Sequence, residues 1–393
     1  MLKSTTETIV FHSSEPIFTS LGLALKLFSL NIHHFCIKKI NTMPEHKSDK
    51  SNEKKETIQE IAIKLVEEQM RLREMEHGPR ERTVFILGSK GVGKSSVINR
   101  FLDREENLRP TLALEYSFGR RSNPSNSIEK QIMNVWELGS LENSEQLIKV
   151  PMRSHGLDNF SAIIMVDLSQ PNRVWLDLES AYKGLKMTCA GLMDEHKEAL
   201  YRERALKRVK EHVDLPTLEL MPFPVVIVGG KYDVFMDFDP ELKKHLCRCL
   251  RSMAHLIGAS LLFYSQNTPK LAKTIRDTVS HLGFGSPSHP LRTLITDYNE
   301  ALSIWFGSDS WERIGIDGSG KMNVDLIGST LDLDVPQVKV SSSNSQKTQV
   351  MDPAKDPAFQ ESIIDEMRAQ KDEELKAIIR ESQMRGKFKT ITG

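Results

Sequence analysis

The chain has 393 residues, with 53 lysines and arginines against 53 aspartates and glutamates, so its formal net charge is zero. That balance excludes the basic footprint of a dedicated nucleic-acid binder. A mean hydropathy of −0.36 with 39% hydrophobic residues excludes a protein of several membrane spans and allows a sizeable core. Four cysteines (Cys36, Cys189, Cys247 and Cys249), with no C-x-x-C pair, are too few for a disulfide scaffold and give structural zinc no cysteine framework. The composition is that of a soluble α/β protein from a reducing compartment.

Residues 1–56 read as a disordered leader. Its apolar stretch from Ile17 to Cys36 is interrupted by Lys26, with His33 and His34 following, whereas a spanning helix needs about 20 consecutive apolar residues. Met43-Pro44 opens a polar stretch, so residues 1–42 read as an upstream extension before the start of translation. Thr57, with Glu60 three residues on, forms a capping-box pattern and opens a helix expected over 57–77, ended by Gly78-Pro79.

Residues 82–283 then alternate strands and helices. The expected strands are Thr83–Leu87, Leu114–Phe118, Gln131–Trp136, Ala162–Val166, Val225–Val228 and Ser260–Tyr264. The expected helices are Ser95–Leu102, Val174–Val213 with breaks, Pro240–Ile257 and Pro269–Leu282. This pattern predicts a mostly parallel six-stranded sheet with helices on both faces; the short second link reads as an antiparallel hairpin. Residues 284–355 read as an irregular segment and linker, and 356–385 as a C-terminal helix.

Gly88-Ser89-Lys90-Gly91-Val92-Gly93-Lys94-Ser95 fits the pattern G-x-x-x-x-G-K-[ST], directly after a strand and opening a helix. Glycines let the backbone wrap an anion with its N–H groups inward, and the helix N-terminus adds a favourable dipole. Lys94 would bridge the β- and γ-phosphates, and the Ser95 hydroxyl, followed by Ser96, would hold Mg²⁺.

The remaining site motifs are partial. Thr111 resembles the switch threonine of Ras-like GTPases, which reaches Mg²⁺; as a plain turn threonine it would do nothing. Ras-like proteins then have Asp-x-x-Gly followed by Gln. This chain has Glu137, one residue too close to Gly139, and then Ser140, so the water-orienting glutamine is missing. In Gly230-Lys231-Tyr232-Asp233, Lys231 and Asp233 are in register with the guanine-reading [NT]-K-x-D, and Gly230 replaces the Asn. Ser265 sits near the usual base-contacting loop. The set suits binding of GTP or GDP with Mg²⁺, held by Ser95 and Thr111, and is poorly equipped for hydrolysis.

Several non-catalytic segments share a further likeness. Residues 109–116 with Gly119-Arg120-Arg121, Val135–Gly139, Val166–Asn172 and Gly230–Phe235 with Asp237-Phe238 resemble the dynein light intermediate chain family. Asp352–Pro357 and Asp365–Asp372 are similar to its dynein-2 members. The likeness runs from about Glu56 to Gln383. It implies a Ras-like P-loop domain with helical extensions, in an accessory subunit without catalytic residues of its own. It implies docking on the dynein-2 heavy chain alongside other dynein-2 subunits, with microtubules reached only through the heavy chain. It also implies a place in retrograde intraflagellar transport and cilium assembly, in the cytoplasm, cytoskeleton, cilium and centrosome. Neither direct nucleic-acid binding nor a membrane span is implied. From the residues alone, an active small GTPase acting as a switch stays open, as does a P-loop ATPase or kinase, against which Lys231-Tyr232-Asp233 argues. The basic stretch with Lys197, Arg202, Arg204, Lys207, Arg208 and Lys210 reads as a solvated face or a contact surface.

Overall fold

The computed structural model describes residues 59, 62–66, 68, 81–104, 110–123, 126–209, 212–285, 293–316, 322–338 and 361–391. It divides into two compact units, residues 82–118 with 133–393 and residues 1–81 with 119–132. Within the second of these, residues 62–66 are helical, inside the helix expected over 57–77, and 119–123 and 126–132 are strand. The apolar stretch 17–36, Met43 and Arg109 lie outside the described residues.

The elements run β1 (Glu81–Gly88), α1 (Lys94–Phe101), β2 (Leu114–Asn123), β3 (Asn126–Leu138), α2 (Glu145–His155), β4 (Phe160–Asp167), α3 (Val174–Leu192) and α4 (Glu195–Val209). They continue with β5 (Val225–Gly230), α5 (Tyr232–Phe235), α6 (Pro240–Ile257), β6 (Ser260–Phe263), α7 (Pro269–Phe284), β7 (Ser303–Ile304), α8 (Trp311–Ile314), α9 (Val324–Asp334) and α10 (Ser362–Ile391). The sheet order is β2-β3-β1-β4-β5-β6-β7. β1, β4, β5 and β6 pair in parallel, and β7 is antiparallel to β6. β2 and β3 are neighbours joined by two residues, too few for a parallel crossover. A phosphate loop after β1, helices on both faces and a hairpin at one edge make this a Ras-like P-loop domain.

The central strands are apolar runs because both their faces are covered. From β1, Phe85 and Leu87 face a core completed by α2, α3 and α6, while Val84 and Ile86 face α1 and α7. The α6 helix begins where Asp239 accepts hydrogen bonds from the Glu241 and Leu242 N–H groups, with Pro240 at its first position. Gly258 ends it in the left-handed region, at φ 66°.

Four features differ from the sequence reading. The sheet has seven strands rather than six, because Ser303–Ile304 adds to the β6 edge. The stretch expected to be irregular over 284–355 contains β7, α8 and α9, and it buries Leu302, Ile304, Trp311, Ile327 and Leu331 against the main core. Its elements are two, four and eleven residues long, too short to leave a sustained period. Helix α2 went unread because Pro151 stands inside it, where proline usually breaks a helix. The C-terminal helix, expected over 356–385, is observed as Ser362–Ile391, and residues 356–360 lie outside the described residues.

That last helix is exposed along its described length: Ile363, Leu375 and Ile378 are 74%, 55% and 62% exposed. In the long insertion after β4, Tyr182 and Leu185 are buried as expected of core-covering residues, but Leu200 is 40% exposed. Several basic groups there have local partners, and Lys210 lies outside the described residues. Arg204 pairs with Asp158, Lys207 with Glu203 at 2.7 Å, and Arg208 donates to the Met221 carbonyl. Among the described residues no helix is long and apolar enough to cross a membrane.

Candidate nucleotide site

The loop from Gly88 to Ser95 joins β1 to α1. Gly91 and Gly93 stand at φ 76° and 104°, a region where other residues are strained. Helix α1 starts at Gly93 with no capping side chain and no acidic residue in its first turn. Its leading N–H groups are left to an anion or to water, as a phosphate site requires. Lys90 is exposed, Val92 buried, and Ser96 half-buried in α1.

Lys94 is 4% exposed. Its ammonium donates to the carbonyls of Gly88 at 2.9 Å, Ser89 at 2.7 Å and Gly139 at 3.3 Å. Those contacts use all three donors of the amine. Burial pulls its pKa down to about 8, against the charges of Glu137 and Asp177. The loop therefore holds its own cation, and a phosphate would compete with these carbonyls.

The Ser95 hydroxyl donates to Glu137 at 2.7 Å. Burial pushes the Glu137 carboxyl up, as does the charge of Glu115. The Ser95 hydrogen bond, the Lys94 charge and the Thr111 hydroxyl pull it down. Thr111 also donates to Glu115 at 3.1 Å. So Ser95, Thr111 and Glu137 meet at the end of β3, an arrangement of two hydroxyls and a carboxylate suited to Mg²⁺. Glu137 was out of register with the Asp-x-x-Gly pattern, yet β3 carries it to the position an acid should hold. A Cβ on Gly139 would stand 2.4 Å from the Thr111 carbonyl, so glycine is what lets the Thr111 segment close over β3. Glu142 is exposed in a turn held by Ser140, away from the role of the missing glutamine.

The base end is built differently. Lys231 is held at φ 59°, left-handed for a non-glycine, and pairs with Asp167 at 2.6 Å. Asp233 accepts from the Asn267 amide at 2.9 Å. Ser265 is fully buried, and its hydroxyl accepts from the Asn267 backbone N–H at 3.1 Å. The Ser265 side chain thus braces the turn that holds Asn267. A Cβ at Gly230 would lie 3.0 Å from the Val92 carbonyl and 3.2 Å from Val92 Cγ2. The phosphate loop presses against the place where the guanine-reading pattern has its asparagine. The residues fit the phosphates and Mg²⁺ better than they fit the base.

The sequence left Asp177 unread. It lies one turn into α3, is 8% exposed, accepts a short hydrogen bond from the Ser89 hydroxyl and pairs with Arg173 at 3.6 Å. An acid inside a long helical stretch has no motif to mark it. Asp167, at the end of β4, stands inside the segment Val166–Asn172 but was given no role there, and Asn267 lies in a turn that no motif marks.

No family model matches the chain. Cytoplasmic dynein 2 light intermediate chain 1 of Danio rerio is 36% identical over 317 residues, 78% of this chain and 87% of its own length. The protein of the same name from Bos taurus is 37% identical over 345 residues, 83% of this chain and 96% of its own. Among solved structures, the conserved domain of a dynein light intermediate chain is 15% identical with a TM-score of 0.48, over 66% of this chain and 93% of that one.

Proposed function

This chain belongs to the cytoplasmic dynein-2 light intermediate chain family, and on that premise we propose that it is a non-catalytic accessory subunit of the dynein-2 motor. In this reading it binds and stabilises the heavy chain for retrograde intraflagellar transport and cilium assembly. ATP hydrolysis and force belong to the heavy chain, through which the subunit meets microtubules. It works in the cytoplasm and cytoskeleton, at the cilium and at the centrosome. The observation that carries the reading is identity at the level of 36–37% across nearly the whole length of these relatives.

The site supports the non-catalytic part. Its lysine is satisfied by the carbonyls of Gly88, Ser89 and Gly139, and Ser140 stands where a glutamine would orient water. GTP or GDP with Mg²⁺ can still bind, through Gly88 to Ser96 and Thr111, with Lys231 and Asp233 at the base. Bound Mg²⁺ would neutralise phosphate charge; Ser95, Thr111 and Glu137 would hold it. The exposed apolar residues of α10 suit docking on a partner helix or groove.

A tagged full-length chain recovered from ciliated cells tests the proposal by mass spectrometry of its co-purifying chains. Stoichiometric dynein-2 heavy chain is expected. Absence of every dynein chain, where a known dynein subunit recovers them, would overturn it. The switch reading has one observation in its favour, the meeting of Ser95, Thr111 and Glu137. It requires steady-state GTP turnover above background by the purified chain.

A further inference from the structure

The link between α4 and β5 carries a second cluster that the nucleotide reading does not use. His212 and Asp214 lie on that link, and His255 on the last turn of α6. One ligand-type atom from each lies within 4.8 Å of the other two. His255 Nε2 is 2.9 Å from Asp214 Oδ2, and His212 Nδ1 is 4.0 Å from the same oxygen. The side chains are shielded, at 13% exposed for His212, 16% for Asp214 and 2% for His255.

The surroundings hold these groups as metal ligands are commonly held. His212 Nε2 lies 2.8 Å from the Asp309 carbonyl, to which it donates, and this leaves Nδ1 as the nitrogen with a lone pair. The Trp311 N–H donates to Asp214 Oδ2 at 3.0 Å, and its ring stands edge-on to His255 at 4.6 Å. Arg251 grips Asp309 with two hydrogen bonds of 2.8 Å. A recess lined by Arg251, Ala254, His255, Ala259 and Asp309 adjoins the His255 side of the cluster.

We propose that His212 Nδ1, Asp214 Oδ2 and His255 Nε2 bind one zinc ion, with water as the fourth ligand. Two imidazole nitrogens and one carboxylate oxygen form a donor set for a borderline-soft divalent ion. Ligand bonds of about 2.0–2.2 Å place tetrahedral ligand atoms roughly 3.3–3.6 Å apart, and the separations here, from 2.9 Å to at most 4.8 Å, bracket that value. Binding exchanges contacts already present. The His255 proton moves from Nε2 to Nδ1, and the Asp214 N–H, which donates to His212 Nδ1 at 3.1 Å, yields that lone pair to the ion. The cluster is assembled by hydrogen bonds before the ion arrives. Zinc then acts as a clamp, fastening the link after α4 to α6 and, through Asp309 and Trp311, to the segment after β7.

The test is zinc titration of the chelator-stripped full chain against a chromophoric competitor, with thermal unfolding alongside. One ion per chain at sub-micromolar affinity is expected, with a rise in melting temperature. His212→Gln and His255→Gln keep a hydrogen-bond donor but lose the imidazole ligand. Each is expected to lose at least about 100-fold in affinity, since even outer contacts of a metal site cost 10–100-fold. His212→Cys restores a ligand and is expected to bind zinc, and cobalt(II) in its place should give a thiolate charge-transfer band. No binding below micromolar, or Gln variants binding as tightly as wild type, would overturn the proposal and leave a hydrogen-bonded brace. If a Gln variant fails to fold, absence of the thiolate band in folded His212→Cys overturns it equally.

Discussion

At the phosphate end of the candidate site, the main chain and two acids surround a single lysine; at the base end, Gly230 stands in place of the guanine-reading asparagine and the buried Ser265 braces the turn. Lys94 touches three carbonyls and lies near Glu137 and Asp177. Lys231 is exposed enough to need only Asp167. The phosphate end is therefore built into the core, while the base end is a surface turn pressed against Val92. A complete motif can be kept because the fold rests on it, with or without turnover.

Lys94→Ala should break this contrast most severely. It leaves Glu137 and Asp177 without their buried counter-charge and three carbonyls without a donor, a loss of about 3–5 kcal/mol. Urea unfolding measures it, and a loss below about 1 kcal/mol would show that the lysine is not a brace. Gly230→Asn restores the guanine-reading pattern. The Val92 carbonyl stands 3.0 Å from the added Cβ, so overpacking of about 1–3 kcal/mol is expected, with no gain in GDP affinity. Tighter GDP binding at unchanged stability would mean that the base end is intact.

The Lys94 ammonium gives a pH signature. Its pKa is depressed from 10.5 to about 8 in the folded chain. Between these values the unfolded chain binds the extra proton, so stability should rise with pH there. The contribution is present above 10.5 and lost as pH falls through about 8. Lys94→Gln should remove that slope; an identical slope in both chains would assign it elsewhere. Smallest is Asp233→Ala, which releases an exposed Asn267 contact. It should change stability by no more than about 0.5 kcal/mol and abolish any preference of the site for GDP over ADP in competition binding. A retained preference would move base reading away from Asp233.

The contrast also shows what a sequence reveals. The phosphate loop is eight consecutive residues, and its chemistry is local, so spacing displays it. Glu137 sits one residue off the familiar pattern, yet a strand fixes which side chains face the loop, and β3 brings it to Ser95. Asp177 reaches Ser89 across 88 positions of chain, which no local pattern encodes. Segments after β6 show the same limit. Trp311 and Leu331 look no more apolar in context than Leu375, but the first two are 2% exposed and the last 55%. Burial there is decided by short elements that pack on α6, whereas α10 carries its apolar residues into solvent.

Ser95→Ala tests the central claim most directly, because it removes the hydroxyl proposed for Mg²⁺ while leaving Lys94 and the loop glycines in place. Cells lacking the endogenous chain would be supplied with this variant, its folding checked by thermal unfolding, and heavy-chain recovery measured. The account expects wild-type stoichiometry of dynein-2 heavy chain and normal cilia. A normally folded variant that loses the heavy chain would contradict it and make nucleotide state the determinant of assembly.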